Sequence, residues 1–474
     1  MKAKLKSTRK RSVTPEAVEV YDFWSRIVWP GLLAIFFVST PLIFSSGYAP
    51  QGWIFCTVYD LPKVCYIAAF VPLFGVFYSI YIYSKNLHLE SCTNFIHHNS
   101  GIKICFLLLT VMALSLFGSL VVKAGFYHLA DYVLLGILGF ILAQLFQQNR
   151  LRWVAVYALL AGLLLFTILG LIQSTGYQLP FLQPILGAAS TFGYRNPAAH
   201  FIALVIPFVL FAAGHHYYLW RQSKTGLQLA FCIFFLLLFT AVVGLLFLNY
   251  SRAAIMALLA EVLVVPCFWF LSHRKIDKEA AKRPLNWRRL LVVTLFALVV
   301  IASLIIIFPK SRLRVERSFK KFHQGGVARL LEARYYHWGN SLMMIKDHPG
   351  LGVGLANWPY NYPLYFKSFA YDPLYNYQFQ VRRSHNDYLQ LAAECGIPAL
   401  LLFLLLWGRQ FYLLRYPSTA EDDGEDWRLP ILASLTAFSV IMFFSFPMQM
   451  AYSRMFCFFL LALGEARAWP ALSK

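Results

Sequence analysis

The sequence predicts an all-α protein that crosses a membrane many times. Of its 474 residues, 59% are hydrophobic and only 13% are charged, and the mean hydropathy is +0.59. Soluble domains of this size are less apolar, and a membrane-spanning helix needs about 20 apolar residues. Twelve apolar runs approach that length, at about 27–46, 64–83, 102–122, 129–146, 153–173, 197–219, 228–248, 253–272, 289–309, 397–415, 431–447 and 452–468.

Composition divides the chain into four parts. Residues 1–26 form a basic tail, 27–309 contain nine predicted spans, 310–396 form a long polar loop, and 397–474 contain the last three spans and the C-terminus. The first apolar run, Ile27–Ser46, is too long for the core of a signal peptide, and no clear cleavage site follows it. We therefore expect an uncleaved first span.

The positions of the charges predict the topology. The formal net charge is +21, and seven Lys/Arg lie in 1–26 and seven more in 273–289. By the positive-inside rule, we expect both termini in the cytoplasm and residues 310–396 outside. The eight cysteines lie mostly in apolar runs and have no metal-ligand spacing, so we expect no zinc site and no disulfide framework.

The long loop 310–396 holds twelve Lys/Arg against six acids and is rich in tyrosine. Long loops are exempt from the positive-inside rule, so this excess of cations needs another explanation. A basic, aromatic surface suits a phosphate-bearing, sugar-containing ligand. The alternative interpretation is a solvated lid that touches lipid headgroups.

The stretch Arg382–Asp387 closes this loop. Ser384 and Asp387 have capping-box spacing, which predicts that a helix starts here with His385 in its first turn and Gly396 as its C-cap. The helix dipole and the two preceding arginines would keep the imidazole neutral and able to accept a proton. The alternative is a histidine that only forms a local hydrogen bond.

Two further arginines are expected on the same outer side. Arg252 begins the eighth predicted span, and Arg195 begins the sixth. An arginine just inside an apolar helix is costly unless it is paired or functional. The alternative is snorkelling to headgroups, which fits Arg195 better than Arg252. For Glu261, midway along the eighth span, we expect a structural pairing.

Together these pieces resemble the bacterial O-antigen ligase family, within the superfamily that also includes O-antigen polymerases. The resemblance runs from about Gly187 to Leu405. Its four ordered blocks are Thr-Phe-Gly-Tyr-Arg-Asn-Pro-Ala-Ala (191–199), Tyr-Ser-Arg-Ala-Ala (250–254), Arg334 to Trp338 with the following Asp-His-Pro-Gly-Leu-Gly-Val-Gly (347–354), and Ser-His-Asn-Asp-Tyr-Leu-Gln (384–390).

The resemblance implies glycan transfer from an undecaprenyl-diphosphate-linked donor to an acceptor hydroxyl at the periplasmic face of the bacterial inner membrane. In a ligase the acceptor is lipid A–core. The implied base is His385, and Arg252 and Arg334 are implied to bind the donor diphosphate. Further substrate contacts are expected from Arg195, Arg382, Arg383, Asn386 and Trp338.

The chemistry fits these residue types. A diphosphate leaves readily once guanidinium groups meet its growing charge, whereas a sugar hydroxyl needs a base. One displacement would invert the anomeric centre. A metal-dependent route needs clustered carboxylates outside, and the acidic run 421–426 is predicted inside. We expect no metal, no cofactor and no nucleic-acid partner, but do expect contact with membrane lipids.

Several alternatives stay open. The acceptor could be lipid A–core, another lipid-linked glycan, or a protein. A transporter or flippase of lipid-linked glycans is a different class, and it would place ionisable groups near the bilayer midplane. Here the cations gather at one predicted face. His337 and His348 are rival candidates for the base, although His337 could instead orient Arg334, and His348 precedes a Pro-Gly turn.

Overall fold

The computed structural model describes residues 23–45, 59–84, 96–97, 99–177, 179, 182, 188–276, 287–331, 333–372, 375, 381–414 and 426–472. Among these residues no β-strand occurs, only an isolated bridge between Leu179 and Leu182. The α-helices are α1 (Trp29–Ser39), α2 (Leu61–Ser84), α3 (Ser100–Ser115), α4 (Val122–Leu145), α5 (Asn149–Ser174), α6 (Arg195–Ser223), α7 (Gly226–Leu248), α8 (Arg252–Ile276), α9 (Trp287–Ile307), α10 (Pro309–Leu331), α11 (Ala333–Asp347), α12 (Trp358–Tyr365), α13 (Asp387–Leu413), α14 (Arg428–Phe444) and α15 (Ala451–Leu472). The prediction of an all-α fold is confirmed.

Seven of these helices are long and apolar enough to cross a membrane: α2, α4, α5, α6, α7, α13, and α3 with its extension to Gly118. Each of the twelve predicted runs contains one helix, so apolar composition and run length place the helices correctly. The number that crosses the bilayer stays a prediction. The first run is shorter than expected, because its helix ends at Ser39 and a turn follows.

Helix α6 forms the centre of the bundle, and most of its residues are buried. Its small side chains Ala198, Ala199 and Ala203 are fully buried, which allows neighbouring helices to approach closely. The hydroxyl of Ser434 in α14 donates a hydrogen bond to the carbonyl oxygen of Leu204 at 2.7 Å. This packing holds the N-terminal end of α6 in a fixed place.

Some charges within the bundle are paired. A guanidinium nitrogen of Arg454 lies 2.6 Å from the carboxylate of Asp131, and Glu465 is paired with Arg409. Glu261 differs, because its Oε1 atom is buried and makes no hydrogen bond to a described residue. The structural pairing expected for Glu261 is therefore not found at this oxygen.

The loop between α9 and α13 is anchored at both ends. The hydroxyl of Ser311 in α10 donates to the carbonyl oxygen of Phe247, at 2.9 Å, which ties α10 to the end of α7. A second small core then packs the rest of the loop onto α13. Its buried members are Met344, Val353, Trp358, Tyr362, Tyr375 and Ala393.

Helix α13 does not begin as predicted. Its N-cap is Asn386, whose side-chain oxygen accepts a hydrogen bond from the backbone N–H of Leu389 at 3.0 Å. His385 therefore precedes the helix, and the expected Ser384–Asp387 capping pair is wrong. A carboxamide one residue before the first helical position is an equally good cap, and it shifts the helix start. Gly396 interrupts α13 with φ +81°, near the end that was expected there.

Candidate functional site

His385 lies in a tight, left-handed segment just before α13. Its φ is +59°, a conformation that side chains other than glycine adopt at a cost of about 1–2 kcal/mol. The backbone N–H of Asn386 donates to the hydroxyl of Ser384 at 3.2 Å, and that hydroxyl donates to the carbonyl oxygen of Asn386 at 2.7 Å. Local hydrogen bonds therefore hold the strained backbone on both sides of the imidazole.

A buried chain of polar groups connects this segment to the preceding loop. The Gln390 carboxamide accepts from the backbone N–H of Ser384 at 3.2 Å and donates to Glu394 at 3.0 Å. The Glu394 carboxylate also accepts from the backbone N–H groups of Ala356, at 3.0 Å, and Trp358, at 3.3 Å. Glu394 therefore joins the turn after α11 to the helix that follows His385.

The glycines of the turn at 347–354 allow this close approach. The backbone N–H groups of Val353 and Gly354 donate to the carbonyl oxygens of Ala393 and Glu394 at 2.9 and 2.8 Å. Gly352 has φ +70°, and a side chain there would collide with the backbone of Glu394. This motif is therefore a structural clamp on α13.

The imidazole of His385 lies among aromatic and cationic groups. Its ring is stacked on that of His337, with centroids 6.0 Å apart, and meets the ring of Phe446 edge-on at 4.8 Å. Its Nδ1 atom is buried and makes no hydrogen bond to any residue in the described part of the chain. The hydrogen-bonding capacity of this nitrogen is thus unused within the described part of the chain.

Burial, followed by the charges of Arg334, His337 and Arg383, lowers the pKa of His385 to about 3. The imidazole is therefore neutral at physiological pH, as the sequence predicts, although the helix start on which that argument relied is wrong. The smallest of these influences comes from His200. Arg334 also acts electrostatically on His200, so this arginine lies near both imidazoles.

His337 has a carboxylate neighbour. Its Nε2 atom lies 3.3 Å from Oδ2 of Asp372, which is fully buried. The phenol of Tyr362 donates to the same oxygen at 2.7 Å. Burial raises the pKa of Tyr362, so that the phenol keeps the proton it donates. The arrangement is an Asp–His pair whose imidazole lies against that of His385.

The first two sequence blocks also meet. The guanidinium carbon of Arg195 lies 4.3 Å above the centre of the Tyr250 ring. Tyr250 precedes Arg252 by two residues in the chain. Both arginines are the first residues of long helices, α6 and α8. His200 follows Arg195 by five residues, which is about 7.5 Å along α6. Arg195, Arg252 and Arg334 are therefore connected through neighbouring residues, and their convergence on one pocket stays a prediction.

A buried lysine fixes the segment that leads into α6. The ammonium group of Lys63 donates to the carbonyl oxygens of Ile43, Tyr59 and Thr191, at 2.5, 3.0 and 2.9 Å. The hydroxyl of Thr191 donates to the carbonyl oxygen of Pro41 at 2.6 Å. The first sequence block is thus tied to the helices before it.

The remaining predicted substrate contacts have different surroundings. Arg383 lies over the ring of Phe446, with its guanidinium carbon 4.7 Å from the ring centre, and so flanks His385. Arg382 is exposed. Asn386 acts as the helix cap. The ring of Trp338 packs against Phe443 at the end of α14, with centroids 5.5 Å apart.

Two residues at this site were not selected from the sequence. His200 is a buried polar residue in an apolar span, and that contrast is a usable signal for function. Asp372 lies in a loop without a distinguishing pattern, so only the fold brings it to His337. Within the described residues, no three His, Cys, Asp or Glu side chains are grouped so as to hold a metal ion. Residues 421–425 of the acidic run lie outside those residues.

A comparison with protein families matches residues 233–404 to the family described as O-antigen ligase. The matched range contains the second, third and fourth sequence blocks, and His385 lies in the fourth. The first block, 191–199, precedes the matched range. No curated protein matches the chain. The helices of spanning length indicate a membrane protein, and this match supports a role in O-antigen biosynthesis. Residues 233–404 belong to the O-antigen ligase family, which confirms the resemblance that the motifs indicate.

Proposed function

We propose that the chain transfers a glycan from an undecaprenyl-diphosphate-linked donor to an acceptor hydroxyl, without a metal and with inversion. The observation that carries the proposal is a neutral, partly buried imidazole, His385, on which the charges of Arg334 and Arg383 act. Such a site combines a proton acceptor with anion-binding groups, and these are the two functions that the reaction needs.

The arginines provide the binding site for the diphosphate. Arg195 and Arg252 stand at helix N-termini, where the backbone N–H groups and the helix dipole also favour an anion. Guanidinium groups bind phosphate oxygens in bidentate fashion. As the bond to the sugar breaks, negative charge grows on the leaving diphosphate, and these groups stabilise it.

The bond changes balance in a single step. The acceptor oxygen forms a bond to the anomeric carbon, and the bond from that carbon to the phosphate oxygen breaks with its electron pair on the diphosphate. The proton of the acceptor hydroxyl passes to a ring nitrogen of His385. The imidazolium then loses this proton to solvent before the next turnover.

His337 is the rival base, and its contact with Asp372 favours it. A carboxylate beside an imidazole is the arrangement found in catalytic triads, where it orients the ring and stabilises the protonated form. We assign the base to His385 because Arg334 and Arg383 bring the anion-binding charge next to it. We assign to His337 the role of a neighbouring polar group.

The proposal places the site at the periplasmic face of the bacterial inner membrane, with both termini in the cytoplasm. Residues 1–22 and 473–474 lie outside the described residues. The family description favours a ligase, and we propose lipid A–core as its acceptor. A polymerase acts by the same chemistry on another lipid-linked glycan, and a transporter would need no base.

The test uses the purified full chain reconstituted in closed lipid vesicles that contain an undecaprenyl-diphosphate-linked glycan. Lipid A–core, a second lipid-linked glycan and a peptide are offered separately as acceptors. We expect transfer to lipid A–core, and the anomeric configuration of the product shows whether the reaction inverts. Movement of the donor across the membrane without transfer to any acceptor would identify a transporter and overturn the proposal.

A further inference from the structure

A cavity lies between α6, α8 and α14, and α7 and α9 each contribute one residue to its wall. Its volume is about 640 Å³, and most of its wall is hydrocarbon from residues such as Ile206, Leu210, Phe211 and Val262. Ligand cavities are typically apolar with a few polar groups that fix the orientation of the ligand. This cavity has that composition.

The cavity has the length of one membrane leaflet. It follows α6 from Ile206 to Tyr218, twelve residues that rise about 18 Å, while half of a bilayer core is about 15 Å. It also reaches Asp426 and Pro430, at the start of α14. The other end of α14 carries Phe443, which packs against Trp338 of the site loop. The cavity therefore occupies the half of the bundle opposite His385.

Glu261 gives the cavity a polar contact. This residue lines the cavity, is only 6% exposed, and its Oε1 atom makes no hydrogen bond to any described residue. It follows Arg252 by nine residues, about 13.5 Å along α8, which is near the middle of a bilayer. An ionisable residue at that depth is expensive and usually functional.

The charges around the cavity exclude an anionic ligand. No lysine or arginine is among the described residues that line it, and Asp426 is its second acidic residue. The guanidinium of Arg428 lies 2.6 Å from Asp426, outside the cavity wall. A phosphate group would meet two carboxyl groups there and no lysine or arginine among the described lining residues, and His215 is the one basic side chain among them. A hydrocarbon chain that carries a hydrogen-bond donor would fill the cavity and donate a hydrogen bond to the Glu261 carboxyl group.

We propose that this cavity binds a long-chain amphiphile that has one hydrogen-bond donor, a hydroxyl or an amine, and no phosphate, with Glu261 as its polar contact. The ligand enters from the leaflet opposite the His385 site. The diphosphate-linked donor is excluded from this cavity by charge. The inference concerns binding alone, so its failure would leave the proposed transferase activity unaffected.

The test measures binding to the purified full chain by native mass spectrometry in detergent micelles. The probes share one chain length: geranylgeraniol, geranylgeranylamine, geranylgeranyl diphosphate and the saturated hydrocarbon phytane. We expect the alcohol or the amine to bind about tenfold more tightly than the hydrocarbon, the gain from one hydrogen bond to a buried group. Equal binding of alcohol, amine and hydrocarbon would overturn the proposal.

Two variants locate the binding site. Glu261→Leu should remove the preference for the alcohol or the amine and retain binding of the hydrocarbon. Gly214 lines the cavity, and an added Cβ there meets no atom within 4 Å, so Gly214→Leu should fill the space and weaken all chains that bind there. Gly244→Leu on α7 is the matched control, because a Cβ there is equally free of contacts and lies outside the cavity.

The variants also define the contrary results. Undiminished binding of the alcohol and the amine in Gly214→Leu would place their site elsewhere and overturn the proposal. If Glu261→Leu still binds the alcohol or the amine more tightly than the hydrocarbon, Glu261 is not the polar contact, and the proposal is again overturned. Diphosphate binding that is lost in Gly214→Leu but kept in Gly244→Leu would contradict the exclusion of anions.

Discussion

The imidazole rings of His337 and His385 are stacked, with an interplanar angle of 18° and centroids 6.0 Å apart. Their neighbours differ in charge. His337 contacts the carboxylate of Asp372, whereas Arg334 and Arg383 act on His385. The two stacked rings therefore have different neighbours, a carboxylate beside His337 and arginines that act on His385.

His385→Ala should abolish transfer or reduce it by about 10²–10⁴-fold, the usual effect of losing an acid–base group. Donor binding should survive, because the arginines remain. Initial rates of glycan transfer and equilibrium binding of the lipid-linked donor, measured on the same preparation, separate the two effects.

The matched control is His337→Ala, which removes the stacked imidazole and leaves His385 in place. We expect a smaller loss of transfer in this variant than in His385→Ala. If His385→Ala retains a near wild-type rate while His337→Ala does not, the base is His337, oriented by Asp372.

The pH dependence of kcat/KM should follow His385. A base must be neutral, and its protonated fraction grows as the pH falls toward its pKa, which is about 3 here against an ordinary value of 6.5. Bound diphosphate offsets part of this depression, and kcat/KM reports the free enzyme. We therefore expect kcat/KM of the wild-type enzyme to stay level between pH 8 and about 6.5, because His385 is neutral throughout this range. An acid limb at or above 6.5 would mean that a different group acts as the base.

Arg334→Lys and Arg252→Lys should each lower transfer about 10- to 10²-fold, since one charge-assisted hydrogen bond is worth about 1.5–3 kcal/mol. Lysine keeps the charge but loses the bidentate fork that matches phosphate oxygens. Transfer rate and donor affinity are the measurements. Arg317→Lys, at an exposed position of α10, is the control and should be neutral. Near-normal rates in the two test variants would show that these arginines contact lipid headgroups and do not bind the donor diphosphate.

Helix positions were predictable because each apolar run contains a helix, although only seven of the described helices have the length and composition to cross a membrane. The start of α13 was not, because Ser384, Asn386 and Asp387 are all good caps and lie within four residues. Only the folded chain selects among them. There the Ser384 hydroxyl bonds to Asn386, which leaves the Asn386 carboxamide to cap the helix.

Contacts between residues that are distant in the chain could not be predicted from the sequence either. The sequence singles out Arg334 and His385 by their motifs, but the pairing of His337 with Asp372 joins two parts of a loop that have no shared pattern. Likewise, Glu394 receives hydrogen bonds from a turn nearly forty residues earlier in the chain. Such contacts depend on how the loop packs, and no local spacing specifies them.

The topology predicts opposite labelling at two positions. In a variant without native cysteines, a cysteine at Gln324 should react with a membrane-impermeant maleimide in intact cells, because α10 lies in the loop expected outside. A cysteine at Lys278 should react only after permeabilisation. Labelling of Lys278→Cys but not Gln324→Cys in intact cells would invert the whole arrangement and place His385 in the cytoplasm.

Glu394→Gln should impair both stability and transfer, although the hydrogen bonds of Glu394 go to residues other than His385. The carboxylate accepts hydrogen bonds from Ala356, Trp358 and Gln390, and a carboxamide would turn one acceptor into a donor that faces another donor. An unsatisfied buried group costs about 1–3 kcal/mol. The chain through Gln390 to Ser384 should then loosen the backbone that holds His385.

The measurements that separate positioning from general instability are the thermal midpoint and the transfer rate at a temperature well below it. We expect Glu394→Gln to lose transfer even where the protein is fully folded, while donor affinity changes little because the arginines are intact. Glu316→Gln is the matched control, since that carboxylate is more than half exposed and its 3.5 Å pair with Arg312 contributes little. A Glu394→Gln protein with a wild-type rate at low temperature would show that His385 is held without this chain.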